Sequence, residues 1–281
     1  MTEPSFPFAD LELSQRLERA EGFGNSRFVE ARARLFPDSG STWIEVAGAR
    51  AMFDGISAPT TQTFGLGLFQ PATAVDLEAI ETFYAERGAP VFHEVSPLAD
   101  PALPALLASR GYRPCEFTSV LYRPIEGADL TAWTTSTDVV QAVGPAVTVR
   151  LAEAGDLELF ARTSAAGWSH AGIEEFILAM ARVSAASEGV SLFLAELAGT
   201  PIATAVLSVV GGIAHLAGAS TIPAARNRGA QSALLDHRLR FAAAHDCDIA
   251  LMGALPGSGS QRNAERNGFR IAYTRIKWQK S

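Results

Sequence analysis

The chain has 281 residues, 48% of them hydrophobic, which is enough for two domains of about 130 residues each. Its 23 basic and 30 acidic residues leave a formal charge of −7, arguing against nucleic acid or an anionic membrane surface as the main partner. No run of about 18 apolar residues occurs, so no transmembrane helix is expected.

The N-terminal segment carries Glu3, Asp10, Glu12, Glu18 and Glu21 and no apolar run of signal-peptide length, which points to a cytoplasmic protein. Residues 42–53 read as a strand pair or one long strand, and 61–69 as another strand. Residues 75–87 carry the helical stripe Leu77, Ile80, Phe83 and Tyr84; a short strand at 91–95, a helix at 101–109 and a strand at 117–122 follow. Residues 124–145 are rich in Thr, Ser, Gly and Asp, with little periodicity. The expected organisation is therefore a domain at 1–124, a linker at 125–146 and a domain at 147–281. Cys115 and Cys247 fall in different domains and read as free, buried thiols in a reducing compartment. No Cys/His cluster has metal-ligand spacing, so no metal is expected.

The second half opens with an alternating strand at 147–151. Helices at 155–166 and 173–186 flank the turn Gly167-Trp168-Ser169-His170-Ala171-Gly172. Strands at 191–197 and 202–210 are joined by a hairpin-type turn, and Gly211-Gly212 leads into a strand at 213–219. After the loop Ile222-Pro223-Ala224-Ala225-Arg226-Asn227-Arg228-Gly229-Ala230-Gln231 comes an amphipathic helix at 232–244, with Leu234, Leu235, Leu239 and Ala242 on one stripe. A strand at 249–252, a short helix ending near Asn267 and a strand at 271–278 complete the chain. The Arg/Gly loop runs from a strand into a helix start, where backbone N–H groups lack intrahelical partners. Those donors, the positive end of the helix dipole and two guanidiniums make an anion site suited to a pyrophosphate. Gly229 lets backbone approach phosphate without a Cβ in the way.

This loop resembles the coenzyme A signature of the GNAT superfamily of N-acetyltransferases, Arg-x-x-Gly-x-(Gly/Ala). Arg226, Arg228 and Gly229 match it, whereas Gln231 stands where the family prefers a small residue, and its side chain is expected to point outward or toward the cofactor. The element order across 147–281 is the family's order too. The resemblance implies an α/β (α+β) fold, a mixed, mostly antiparallel twisted sheet flanked by helices, and acetyl-CoA as co-substrate. It implies cofactor contacts from Arg226, Asn227, Arg228, Gly229, Ala230 and Gln231. Backbone donors for the oxyanion come from the bent strand at Leu216, Ala217 and Gly218.

The first half resembles a faded copy of the second. Gly111-Tyr112-Arg113 with Phe117-Thr118 matches Gly268-Phe269-Arg270 with Tyr273-Thr274 at offsets of 157 and 156. Its loop Gln70-Pro71-Ala72-Thr73-Ala74 has neither glycine nor arginine, and Asp76 and Glu78 occupy the first turn of the following helix. Carboxylates there stabilise the helix themselves and repel a pyrophosphate. The expectation is a tandem arrangement whose degenerate first domain binds no coenzyme A.

Catalytic candidates follow from position. His215 lies eleven residues before Arg226, where some family members carry a catalytic carboxylate. It reads either as a general base or as a packed strand histidine. Trp168 and His170 border the family's acceptor site, the alternative being a capping loop with Trp168 turned inward. Ser260 and Asn263 are candidate donors to the pantetheine arm. Ala264 stands where many members carry the tyrosine acid, which leaves Tyr273 as the substitute or as a buried strand tyrosine. The expected activity is acyl transfer to a primary amine of a small molecule or peptide by a monomer or homodimer. A CoA-sensing module without turnover is the rival, and a different diphosphate-binding enzyme is another, although no Gly-x-Gly-x-x-Gly or P-loop pattern occurs.

Overall fold

The computed structural model describes residues 5–125 and 147–280, apart from the side chain of His170. The predicted linker, residues 125–146, lies outside the described residues except for Ile125. In chain order the elements are α1 (Leu11–Leu35), β1 (Thr42–Val46), β2 (Ala49–Phe53), β3 (Thr63–Phe64), α2 (Ala74–Ala85), β4 (Val91–Val95), α3 (Leu103–Ser109) and β5 (Arg113–Pro124). There follow β6 (Val147–Leu151), α4 (Leu157–Ala166), α5 (Glu174–Ala185), β7 (Val190–Leu197), β8 (Thr200–Val210), β9 (Ile213–Thr221), α6 (Ala230–Ala243), β10 (Ile249–Ala254), α7 (Gly259–Arg266) and β11 (Arg270–Lys280). The fold is mixed α/β with mostly antiparallel strands.

The chain forms two compact units: a central one, Pro124–Ala250, and a terminal one, Ser5–Arg123 with Leu251–Ser281. Residues 251–281, expected with the second domain, thus pack with the first half. The reason lies in β11. It pairs antiparallel with β4 (Ile276 opposite Val95) and with β5 (Arg275 opposite Thr118), giving the terminal sheet the order β1-β2-β3-β4-β11-β5. Arg275, 2% exposed, donates to Glu18 Oε2 at 3.2 Å and to Glu21 Oε2 at 2.8 Å, both on α1. Lys277 Nζ lies 3.3 Å from Glu94 of β4 and 2.7 Å from Glu116 of β5. Buried Arg275 and half-buried Lys277 of this strand thus find their carboxylates in the first half of the chain.

Helix α1 has no counterpart in the sequence reading. Asp10 caps it, accepting from Leu13 N at 3.0 Å, and Leu13, Leu17 and Ala20 face inward. Ser14, Glu18 and Ser26 are buried beside them, so the inner face is half polar and no apolar stripe announces it. The expected strand at 61–69 shrinks to Thr63–Phe64. Gly65 (φ 81°) and Gly67 (φ 70°) turn left-handed, and Leu68 N donates to Gly65 O at 3.1 Å. Cys247 is buried, but Cys115, expected buried, is exposed.

In the central unit β6 to β9 form an antiparallel meander, ordered β6-β7-β8-β9. Ala198-Gly199 and Gly211-Gly212 all have positive φ, which matches two-residue hairpin turns to the strand twist. Phe160 and Ala161 of α4 and Ala181 of α5 pack against Leu192, Leu194 and Val206 of the sheet.

Candidate acyl-transfer site

Strand β9 is regular from Ile213 to Ala217, then breaks. Val206 of β8 pairs with Ala217, but Thr204 pairs with Ser220, so Gly218 and Ala219 together face Ala205. This is a β-bulge, whose extra residue is unpaired and bends the strand. Gly218 has φ 55°, and a Cβ there would stand 2.7 Å from Val206 Cγ2. Only glycine suits both demands. Ala217, Gly218 and Ala219 are exposed, while Leu216 and Ser220 on either side are buried.

Beyond the bulge the chain enters the signature loop. Ile222 N donates to Ile202 O at 2.9 Å, a 3₁₀ turn spans Pro223–Ala225, and Asn227 (φ 62°) and Gly229 (φ 81°) are left-handed. Left-handed residues in a turn help gather backbone N–H groups into an anion-binding concavity. The first bond from the α6 ladder to the cap runs from Ala233 N to Gly229 O at 3.0 Å, so the N–H groups of Ala230, Gln231 and Ser232 precede it. The helix's N-cap residue, Gly229, has no side chain to cap it, and a Cβ there would meet nothing within 4 Å among the described residues. Helix α2 is the opposite case. Thr73 Oγ1 accepts from Asp76 N at 3.3 Å, while Thr73 N donates to Asp76 Oδ2 at 2.8 Å. The Thr73 hydrogen bonds hold the Asp76 carboxyl below its usual range, so this helix end carries its own anion.

The loop side chains divide their work. Arg226 Nη2 donates to Gly167 O at 3.1 Å, tying the loop to the end of α4. Arg228 is exposed beside Gly229. Gln231 is half-buried, and its Nε2 donates to Ser220 O at 3.1 Å and Thr221 Oγ1 at 2.7 Å, fastening the helix start to β9. A small residue could not make that bridge. Gly167 packs so closely that a Cβ would lie 2.8 Å from Ser220 Oγ. That hydroxyl donates to Ser164 O at 3.1 Å and lies 3.1 Å from Thr204 Oγ1. Ser164, Thr204 and Ser220 carry no sequence signal, since lone hydroxyls in apolar segments match no motif.

Trp168 follows Gly167 and is 39% exposed, not turned inward; His170 lies in the next 3₁₀ turn, Ser169–Ala171. His215 is half-buried on β9, opposite Ser208 and two residues before Ala217. The remaining candidates belong to the terminal unit. Ser260 is exposed and Asn263 half-buried on α7, which Ser258 caps by accepting from Gln261 N at 3.2 Å. Tyr273 is 7% exposed and donates to Glu18 Oε1 at 2.9 Å. Burial and the adjacent Glu18 raise its pKa well above the phenolic range, so its hydroxyl is a structural donor in a buried network.

The central unit is thus an α/β domain in which a bulged strand leads through a left-handed Arg/Gly turn into a helix that opens on glycine. Residues 157–269 match the Acetyltransferase (GNAT) family, and the chain carries a domain of that family there. A GCN5-related N-acetyltransferase from Kribbella flavida shares the fold, with 17% identity, TM-score 0.61 and coverage of 91% of this chain and 95% of that one. Another, from Sphaerobacter thermophilus, has 15% identity and TM-score 0.53 over 98% of this chain and 93% of that one. A tandem GNAT protein from the clavulanic acid biosynthesis pathway has 12% identity and TM-score 0.54 over 73% and 68%. No curated protein matches the chain significantly.

Proposed function

We propose that this protein is an N-acetyltransferase moving an acetyl group from acetyl-CoA to a primary amine of a small molecule or peptide. The observation that carries the reading is the contrast between two helix starts: α6 opens on Gly229 with no side-chain cap, whereas Thr73 and Asp76 close α2. Only the first suits a pyrophosphate, so the protein works as a tandem arrangement with one cofactor-binding half. The N–H groups at the start of α6 and Arg228 hold the phosphates. The bulge at Gly218 and Ala219 presents backbone donors to the acyl oxygen as the amine adds to the carbonyl. The C–S bond then breaks as CoA leaves as its thiolate and takes a proton from water. His215 takes the ammonium proton, which makes the nitrogen nucleophilic. Trp168, Ile173 and Phe176, all about 40% exposed, offer apolar surface for the body of the acceptor.

Gly229→Val tests the reading. Its Cβ meets no atom beyond the chain neighbours, the left-handed φ costs a side-chain-bearing residue about 1–2 kcal/mol or more, and the side chain blocks the backbone approach to phosphate. Calorimetry on the full chain should show acetyl-CoA binding to the parent and none to the variant. Equal affinity for both would refute the assignment of this loop. Thiol release with a panel of amines separates turnover from mere CoA sensing.

A further inference from the structure

A guanidinium lies buried beside the bulge without a carboxylate. Arg238, on α6 between Leu235 and Leu239, is 4% exposed. Its Nη1 donates to Val206 O at 3.0 Å and Ala217 O at 3.5 Å, and its Nε to Leu234 O at 3.3 Å. All its acceptors are backbone carbonyls, and among the described residues no acidic side chain pairs with it. Burial lowers its pKa to about 10, which leaves it cationic at neutral pH. Val206 and Ala217 are the pair that borders the bulge. A charge buried without counter-charge is costly, and an apolar side chain would pack well among these leucines. Packing alone therefore does not account for an arginine at this position.

We propose that Arg238 is a positioning residue for acyl transfer: it holds the bulge bent and polarises the Ala217–Gly218 peptide, so that the Gly218 N–H becomes a stronger donor to the acyl oxygen. This inference rests on the acetyl-CoA reading above. The Ala217 carbonyl and the Gly218 N–H belong to one conjugated peptide group. A cation on the oxygen draws density from the nitrogen, and bonds in such a chain strengthen one another. As negative charge builds on the acyl oxygen, the guanidinium is already in place and needs no reorganisation.

The test compares acetyl-CoA with CoA, which lacks the acyl oxygen, by calorimetry on the full chain. Arg238→Met should bind CoA within about twofold of the parent and acetyl-CoA about three- to tenfold more weakly, the worth of one hydrogen bond. Arg238→Lys, keeping the charge, should restore acetyl-CoA affinity; Arg238→Gln should behave as Met does. In the ligand-free protein the Gly218 amide proton should move upfield in the Met and Gln variants and stay in place in the Lys variant. If Met unfolds the chain, the Lys and Gln variants carry the same comparison. Equal weakening of both ligands, no weakening, or failure of lysine to rescue would overturn the inference while leaving the cofactor reading intact. A parent that binds neither ligand overturns the cofactor reading itself, and this inference with it.

Discussion

In the mechanism we propose, His215 is the general base. It stands on β9 three positions before the bulge residue Gly218, half-buried, with Ser208 opposite. A positioned general base is worth about 10²–10⁴ in kcat. His215→Ala should therefore lower kcat by that order while acetyl-CoA affinity stays constant, and the acidic limb of the kcat/KM profile should vanish, because that limb reports protonation of the base. A packed strand histidine would instead give a lower melting temperature at an unchanged rate and pH profile. At this scale much was legible. Gly229 and Arg228 mark by residue type the loop for which an anion site is proposed, whereas the bend at Gly218 is implied only by the resemblance to the GNAT family. Gln231 and Arg226 were harder. A sequence says which groups a side chain carries, not which carbonyl it reaches, and both reach back to neighbouring segments, Ser220 and Gly167. Arg238 gave no signal, since an arginine on an amphipathic helix reads as a solvated face.

At the scale of elements, the two helix starts explain why similar sequence order serves different ends. Thr73 and Asp76 satisfy each other's backbone donors at α2, and a Thr→Ala change at such a cap costs about 1 kcal/mol. Thr73→Ala should lower the urea midpoint by that equivalent and leave acetyl-CoA affinity unchanged; a weakened affinity would mean that α2 shares in the cofactor site. Strands and hairpins were readable because alternation and two-residue glycine turns are local signals: Ala198-Gly199 both specifies and occupies its turn. Helix α1 was not, because its inner face carries the buried polar residues Ser14, Glu18 and Ser26, and the first two meet partners far along the chain. Ser14 Oγ lies 2.9 Å from Ser96 Oγ, and Glu18 meets residues 273 and 275. Such pairings are tertiary facts that no window of sequence contains.

At the scale of the molecule, the ends of the chain are joined by a buried charge network, and this gives stability a defined pH dependence. Burial pushes Glu18 up to about 7 against the pull of Arg275, so the folded chain holds a proton that the unfolded chain releases near 4.5. Between those values the folded state binds more protons, and stability falls as pH rises. His93 acts in the opposite sense. It is fully buried, neither ring nitrogen has a hydrogen-bond partner among the described residues, and burial pulls its pKa down to about 3 from 6.5. Between 3 and 6.5 the unfolded state binds the extra proton, so stability rises with pH there, by at most about 1.4 kcal/mol per unit. The two slopes oppose each other from 4.5 to 6.5, His93 acts without that opposition below this window, and Glu18 acts alone of the pair above it. Glu18→Gln mimics the protonated carboxyl and should hold its urea midpoint between pH 5 and 7.5 better than the parent. His93→Leu removes the burial of an unpartnered imidazole and should hold its midpoint better between pH 6 and 4. Each variant is scored as its difference from the parent at the same pH, which cancels the titration of every unchanged group. If both variants track the parent across the two ranges, neither group titrates differently on folding, and the network joining α1 to β11 is a static clamp.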